Sequence, residues 1–161
     1  MQLSDCRALI TGASGGIGQA LVERLCLGGA KLLLAGRQLA PLEGLVQRFP
    51  GQVELVCADI TEASGREAVL AAARRFGGMN TLINAAGVNR FSLLEQHDEA
   101  DIAALIGLNV TATLQLTHRL LPLLRHQGRA LVVNLGSTFG SIGYPGFSAY
   151  CASKFALRGF S

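Results

Sequence analysis

Short β-rich runs alternate with longer helical patterns along this 161-residue chain. The runs predict five strands, which cover residues 7–11, 31–35, 53–58, 81–84 and 130–135. The helical patterns cover residues 17–27, 39–49, 64–76, 98–126 and 149–161. Because strand–helix–strand units almost always cross over in the right-handed sense, this order predicts a parallel sheet with helices on both faces. We therefore expect one α/β domain over residues 1–161, a doubly wound sheet in a three-layer α/β/α arrangement.

The composition is apolar and poor in charge, which excludes several classes of protein. Half of the residues are hydrophobic and 16% are charged, whereas about 25% are charged in typical soluble proteins. A disordered chain would be more polar, and a disulfide-stapled miniprotein would be shorter and richer in cysteine. The formal net charge of +3 is too small to indicate a nucleic-acid surface, so we expect no nucleic-acid partner.

Four cysteines lie far apart in apolar runs, at Cys6, Cys26, Cys57 and Cys151. None forms a Cys-x-x-Cys pair, and zinc sites use closely spaced ligands, so we expect no metal. Buried, reduced thiols are typical of cytoplasmic proteins, and this is the location that we expect. No signal peptide is visible, and polar residues interrupt the apolar stretch 102–124, so we expect no membrane partner either.

No strand pattern follows the last helical pattern, which reaches Ser161. The fifth strand is apolar on both faces and would lie at or near an edge of the sheet, where such strands are rarely left uncovered. We therefore expect this sequence to be the front part of a longer polypeptide. A compact five-strand protein is the alternative.

A glycine-rich turn connects the first strand to the first helix. It reads Thr11-Gly12-Ala13-Ser14-Gly15-Gly16-Ile17-Gly18, and such a turn brings backbone N–H groups and the positive end of a helix onto a phosphate. Glycine is needed where a side chain would block that approach or where φ is positive. The spacing differs from the GxGxxG fingerprint, and no lysine follows as in a P-loop. Its position between a strand and an amphipathic helix favours a phosphate-containing cofactor.

The end of the second strand bears on the choice of cofactor. Domains that bind NAD usually place a carboxylate there to hold the ribose 2′-hydroxyl, but no acidic residue lies between Glu23 and Glu43. Arg37 occupies that place, and its planar guanidinium suits a 2′-phosphate. The sequence thus favours NADP(H) over NAD(H), with a merely solvated Arg37 as the alternative.

Four polar residues form a candidate catalytic group. Tyr150 and Lys154 share one face if their segment is helical. A free tyrosine hydroxyl titrates at about pH 10, so a nearby ammonium is needed to make its phenolate accessible at neutral pH. Ser137 follows the fifth strand, at the edge where open α/β sheets bind ligands. Asn109 lies inside a long apolar helix, where an amide is expected only if it faces a cavity or forms inward hydrogen bonds.

Together these segments resemble the short-chain dehydrogenase/reductase family and cover nearly the whole chain in that family's order. The matching segments are Thr11 to Gly18, Asp59-Ile60, Asn84-Ala85-Ala86-Gly87, Asn109, Ser137 and Tyr150-x3-Lys154. The resemblance implies a Rossmann-type sheet and an NADP(H)-dependent oxidoreductase that moves a hydride between nicotinamide and a carbonyl or secondary-alcohol substrate. It also implies a homodimer or homotetramer through the helices 98–126 and 149–161.

The same resemblance implies roles for individual residues. At the cofactor, Gly12, Gly16 and Gly18 would let the pyrophosphate approach, and Ser14, Gly15 and Ile17 would contact the adenosine and phosphate parts. Asp59 would hold the adenine amino group, with Ile60 beside the ring. The ribose side would be lined by Asn84, Ala85, Ala86 and Gly87. In catalysis, Tyr150 would be the general acid/base, Ser137 would hydrogen-bond the reacting carbonyl, and Asn109 would hold a water of a proton relay. Tyr150 and Lys154 would also contact the cofactor, with Lys154 at the nicotinamide ribose.

The chain departs from the family pattern in two respects. The family usually has Asn-Asn-Ala-Gly where this chain has Asn84-Ala85-Ala86-Gly87, so one amide is lost. Family members also continue with two further strands and a segment that closes over the substrate. These parts, which would select the substrate, are not in this sequence, so the identity of the substrate is left open. Four aromatic residues are either an apolar pocket wall or part of the core: Phe91, Phe139, Tyr144 and Phe147.

The alternative function is a non-catalytic NAD(P)-binding sensor or regulator with the same fold. Dinucleotide-binding folds host functions of that kind. A sensor has no need of the four candidate catalytic residues together, and all four are present in this chain. The sequence therefore favours the enzyme.

Overall fold

A computed structural model describes residues 2–161. The strands are β1 (Arg7–Thr11), β2 (Lys31–Gly36), β3 (Val53–Cys57), β4 (Thr81–Asn84) and β5 (Leu131–Asn134). The α-helices are α1 (Gly16–Leu27), α2 (Ala40–Arg48), α3 (Ala63–Phe76), α4 (Glu99–Ile106), α5 (Thr113–Arg125) and α6 (Ser148–Phe160), with a π-helical segment, Gly107–Ala112, between α4 and α5. Each predicted strand and helix is present, and its ends differ from the prediction by at most one residue.

The five strands form one parallel sheet with the order β3-β2-β1-β4-β5. β1 pairs with β2 on one side and with β4 on the other, so Thr11 lies opposite both Ala35 and Asn84. The chain therefore builds the sheet outward in one direction and then crosses back to build it in the other. The predicted doubly wound sheet is confirmed. Ligands of such sheets bind at the carboxyl ends of the strands where the order reverses, which here is between β1 and β4.

Alternate side chains of the strands feed two cores, one on each face of the sheet. Leu9 and Leu33 pack toward α3 and α5, whereas Ile10 and Leu34 pack toward α1 and α2. All four are at most 1% exposed, and burying one such side chain contributes about 1.5–3 kcal/mol. The two cores hold the helices in layers on either side of the sheet, which is the predicted three-layer arrangement.

The helical stretch Glu99–Arg125 runs for 27 residues through α4, the π segment and α5. Its inner face, with Leu116 and Leu120, is fully buried. Its length and mean hydropathy would also suffice to cross a membrane, a test that core helices of soluble proteins pass as well. Only 33% of its most apolar 18-residue window is buried, so within residues 2–161 much of the outer face of this helix lies open.

The cysteines differ in part from the prediction. Cys6, Cys26 and Cys151 are buried free thiols, and burial raises the pKa of Cys26. The prediction of four buried thiols is wrong for Cys57, which is free and exposed. The reason is its position, because it is the last residue of β3, at an edge of the sheet where the strand leaves the helical layers.

Candidate active site

The carboxyl ends of β1 to β4 open into a pocket of about 540 Å³, a size typical of small-molecule and cofactor sites. The pocket brings together nine of the predicted cofactor residues: Gly12, Ser14, Gly15, Arg37, Asp59, Ile60, Ala85, Ala86 and Gly87. The other predicted contacts do not line it, namely Gly16, Ile17, Gly18, Asn84, Tyr150 and Lys154. The sequence thus identified half of the 18 residues that line the pocket, and these nine come from four separate parts of the chain.

Two turns meet at the floor of the pocket. Gly12 has a φ of 71°, and a Cβ there would lie 2.6 Å from the backbone nitrogen of Ala86. The Thr11 hydroxyl accepts hydrogen bonds from the N–H groups of Ala85 and Ala86, each at 3.2 Å. A Cβ on Gly18 would overlap the backbone oxygen of Gly12. Gly12 is therefore required for the two turns to pack together, and Gly18 for the start of α1 to pack on the first turn. The sequence placed Thr11 in this turn but did not predict its role.

The amino end of α1 faces the same pocket. Gly15 is the N-cap residue, with no side-chain hydrogen bond to the helix end, and a Cβ on Gly16 would meet nothing within 4 Å. The first N–H groups of a helix have no partner inside the helix, and they carry the positive end of its dipole. This end of α1 can therefore bind a phosphate.

Arg37 and Asp59 lie at the mouth of the pocket, with 4.0 Å between Arg37 Nη1 and Asp59 Oδ2. The Asp59 carboxylate accepts hydrogen bonds from the Thr61 hydroxyl at 2.6 Å and the Thr61 N–H at 2.9 Å. These bonds, with a smaller contribution from the Arg37 charge, lower the pKa of Asp59, so its carboxylate is ionised at neutral pH. The Arg37 side chain is 71% exposed, which leaves most of its donors free for a ligand.

Asn84 lies beneath the pocket rather than in its wall. Its side chain is 4% exposed, and its amide nitrogen donates to the Thr117 hydroxyl at 3.0 Å and to Asn134 Oδ1 at 2.8 Å. In this structure Asn84 therefore joins β4 to β5 and α5, and it supports the following turn, Ala85 to Gly87, which does line the pocket. Thr117 and Asn134 carried no sequence signal, because their role depends on strand pairing.

Asn109 lies in the π segment, a distortion that is frequent at functional sites. The residue is 1% exposed. Its amide nitrogen donates to the Val88 carbonyl at 2.8 Å and the Ser153 hydroxyl at 3.1 Å, and its oxygen accepts from the Val88 N–H at 2.9 Å. Both amide hydrogens are thus used within the protein. On the Asn109 side chain, the second lone pair of Oδ1 is the hydrogen-bonding position that remains for a relay water.

Tyr150 and Lys154 are one turn apart on α6, with Lys154 Nζ 5.6 Å from the centre of the Tyr150 ring. The ammonium donates to the Leu135 carbonyl at 2.7 Å, and burial lowers the pKa of Lys154. Ser137 begins the short helix after β5, and its hydroxyl accepts from the Phe139 N–H at 3.2 Å. Ser137 and Lys154 line one cleft of about 220 Å³.

Aromatic side chains surround Tyr150. Phe139 and Phe147 stack with 5.0 Å between ring centres, and each lies 6.2 Å from the Tyr150 ring. Phe91 and Tyr144 extend this cluster and are 68% and 53% exposed. None of these rings belongs to either buried core, so of the two alternatives the structure favours a wall beside Tyr150.

Comparison with known proteins agrees with this arrangement. The family model for short chain dehydrogenases matches residues 7–161. The chain belongs to this family. A solved short-chain dehydrogenase from Streptomyces avermitilis is 32% identical, with a TM-score of 0.91 over 96% of this chain and 58% of that one. A metagenomic short-chain oxidoreductase solved in complex with NADP is 29% identical, with a TM-score of 0.90 over 98% of this chain and 74% of that one.

Two curated relatives of this chain are reductases that differ in their named substrates. Sulfoacetaldehyde reductase of Chromohalobacter salexigens is 37% identical over 99% of this chain and 64% of its own length. A 3-oxoacyl-[acyl-carrier-protein] reductase of Thermotoga maritima is 30% identical over all of this chain and 67% of its own length. The chain thus spans about two thirds of the length of these relatives.

Proposed function

We propose that the protein is an NADP(H)-dependent oxidoreductase that interconverts a carbonyl group and a secondary alcohol. One observation carries this proposal. Lys154 Nζ and Asn109 Oδ1 both approach Gly87, at 3.9 and 3.2 Å from the position that a Cβ on Gly87 would take. Gly87 lines the cofactor-sized pocket, so Lys154, one turn from Tyr150 on α6, lies next to a residue of that pocket.

The lining of the pocket supports a dinucleotide as its ligand. The open amino end of α1 at Gly15 and Gly16 would hold the pyrophosphate, and the ionised Asp59 would accept a hydrogen bond from the adenine amino group. The nicotinamide ribose would lie at the end of the pocket next to Gly87, where the Lys154 ammonium could bind its hydroxyl groups. When bound, the cofactor supplies or accepts the hydride.

The residues of this chain handle the proton. In the reducing direction, the Tyr150 hydroxyl donates its proton to the carbonyl oxygen as that oxygen gains negative charge, and the Ser137 hydroxyl hydrogen-bonds the same oxygen. The phenolate that remains is stabilised by the ammonium of Lys154, which uses one hydrogen on Leu135 and keeps two. Oxidation of an alcohol reverses these steps.

Titration with NADPH and NADH, followed by the emission of the reduced nicotinamide, tests the cofactor site. The chain contains no tryptophan, so protein emission adds little background. We expect NADPH to bind more tightly than NADH. Binding of neither would contradict the proposal. Binding without turnover of any carbonyl substrate would favour the alternative, a non-catalytic NAD(P)-binding sensor.

The substitution Arg37→Asp is expected to reverse the preference between the two cofactors. A charge-assisted hydrogen bond to the 2′-phosphate contributes about 1.5–3 kcal/mol, so the ratio of the NADPH and NADH dissociation constants should change by about 10- to 100-fold. The same nicotinamide titration measures both constants. Arg24→Asp makes the same charge change on an exposed part of α1 and should leave the ratio unaltered. An equal ratio in Arg37→Asp and the wild type would mean that Arg37 is only solvated.

We also propose a homo-oligomer that forms through the helical stretch Glu99–Arg125 and α6. Large apolar side chains stay open on these helices, with Leu114, Phe155 and Phe160 at 37%, 45% and 37% exposure, and such patches usually mark contact surfaces. Sedimentation at micromolar concentration should give a dimer or tetramer, and Phe155→Glu should shift it toward monomer. A wild-type protein that sediments as a monomer would exclude this assembly.

The cysteines, the net charge and the aromatic wall bear on the location and the partners of the protein. We propose a cytoplasmic protein, supported by four unpaired cysteine thiols. We propose no nucleic-acid or membrane partner, supported by the small net charge of +3 and by the fully buried inner face of the long helix. For the substrate, the aromatic wall supports an apolar group next to the reacting carbonyl.

A further inference from the structure

Arg66 is a buried arginine outside the groups discussed so far. It lies in the first turns of α3 and is only 8% exposed. Its Nη1 atom donates to the carbonyl oxygens of Ile60 and Thr61, each at 2.7 Å. These carbonyls precede the first hydrogen bond of α3, which runs from the Arg66 N–H to the Glu62 carbonyl. No backbone N–H of α3 bonds to them, and the Arg66 guanidinium donates to both.

The segment that Arg66 holds forms one wall of the cofactor pocket. Ala58, Asp59, Ile60 and Thr61 are consecutive lining residues. Thr61 in turn orients the Asp59 carboxylate through its hydroxyl and its N–H. Arg66 thus acts on Asp59 indirectly, through the backbone of the turn, and does not itself line the pocket.

The hydrogen bonds of the Arg66 guanidinium go to the turn before α3 and leave one of its donors unpaired within the described part of the chain. The Nε atom of Arg66 is buried and has no hydrogen-bond partner among residues 2–161, and an unpaired buried donor on a cation lowers stability. An apolar side chain would not carry that penalty, but it would leave the carbonyls of Ile60 and Thr61 without these donors. The bonds to the turn are therefore what the arginine contributes at this position.

We infer that Arg66 is a positioning residue for the adenosine half of the cofactor, because it fixes the turn from Asp59 to Thr61. The inference rests on the proposed function for the identity of the ligand. It predicts a selective effect. Loss of the Arg66 donors weakens binding of a dinucleotide and does not change binding of a ligand that lacks the adenosine half.

The experiment compares NADPH with reduced nicotinamide mononucleotide as ligands of wild type, Arg66→Met and Arg66→Lys. For Arg66→Met we expect the dissociation constant of NADPH to rise about tenfold, as loss of charge-assisted hydrogen bonds to a wall of the site implies. The constant for the mononucleotide should stay within about twofold on the same scale. Arg66→Lys keeps a cationic donor and should recover part of the NADPH affinity. Arg74→Met, on the exposed last turn of α3, is the matched control.

The outcomes separate this inference from the proposed function. If wild type binds no NADPH, the proposed function and the inference fail together. If wild type binds NADPH and Arg66→Met binds it equally well, the inference alone is overturned. An equal loss for NADPH and the mononucleotide would also overturn it, because that result indicates a general loss of structure. Should Arg66→Met fail to fold, Arg66→Lys is compared with wild type. Weaker NADPH binding with unchanged mononucleotide binding supports the inference, and NADPH binding equal to that of wild type overturns it.

Discussion

Replacing Tyr150 with phenylalanine is expected to lower kcat by about 10³-fold, within the range of about 10²–10⁴ that a general acid contributes. The phenylalanine ring keeps the aromatic contacts with Phe139 and Phe147, so the wall beside the substrate should stay intact. Without the hydroxyl, the carbonyl oxygen has no group that delivers a proton as the hydride arrives. The dissociation constant of NADPH should change little, because the phosphate and adenosine contacts are elsewhere.

The matched control is Tyr144→Phe. Tyr144 is the other tyrosine of the chain and belongs to the same aromatic cluster, so this variant removes a hydroxyl from the same surface. It should keep nearly the full kcat. Steady-state rates with NADPH and a carbonyl substrate, together with the nicotinamide titration, measure both quantities. Full turnover by Tyr150→Phe would remove Tyr150 from the acid/base role.

The substitution Gly65→Ala is expected to lower the free energy of unfolding by about 3 kcal/mol, the upper part of the usual range for overpacking. A Cβ at this position would overlap the backbone oxygen of Asp59 and lie 2.6 Å from its carbonyl carbon. Both are backbone atoms of the turn that precedes α3, so no flexible side chain can move aside. The first turn of α3 must shift away from the pocket wall, and NADPH affinity should fall with stability.

Gly44→Ala is the control for Gly65→Ala. Gly44 lies on an exposed position of α2, where a Cβ would meet nothing within 4 Å. Alanine favours a helix over glycine by about 0.8–1 kcal/mol, so this variant should be slightly more stable than wild type. Thermal or urea unfolding measures both variants. A Gly65→Ala protein as stable as Gly44→Ala would show that α3 does not pack as closely on Asp59 as the structure indicates.

The positions of the secondary-structure elements were predictable from the sequence because they depend on local patterns. Apolar runs, helical periods and glycine at the junctions lie within short windows of the chain. The order β3-β2-β1-β4-β5 was not specified beyond a doubly wound parallel sheet. Strand pairing joins segments far apart in the chain, such as Thr11 with Asn84, and local patterns do not report such pairs.

The candidate site was predictable to the same extent. The turn at Gly12, the pair Tyr150 and Lys154, and the amide of Asn109 are unusual in their local settings, so the sequence singles them out. Arg66 has no such signal, because an arginine near the start of a helix is usually solvated. Its role appears only when α3 brings it against the carbonyls of Ile60 and Thr61.

The sequence by itself determined which segments form strands, helices and turns, and which residue types are available for cofactor and proton chemistry. The tertiary structure decided what each of these residues contacts. It placed Asn84 below the pocket, Arg37 beside Asp59 at its mouth, and Cys57 in the open at the end of β3. The physical reason is that periodicity and composition are local properties, whereas burial and hydrogen-bond partners come from contacts between distant segments.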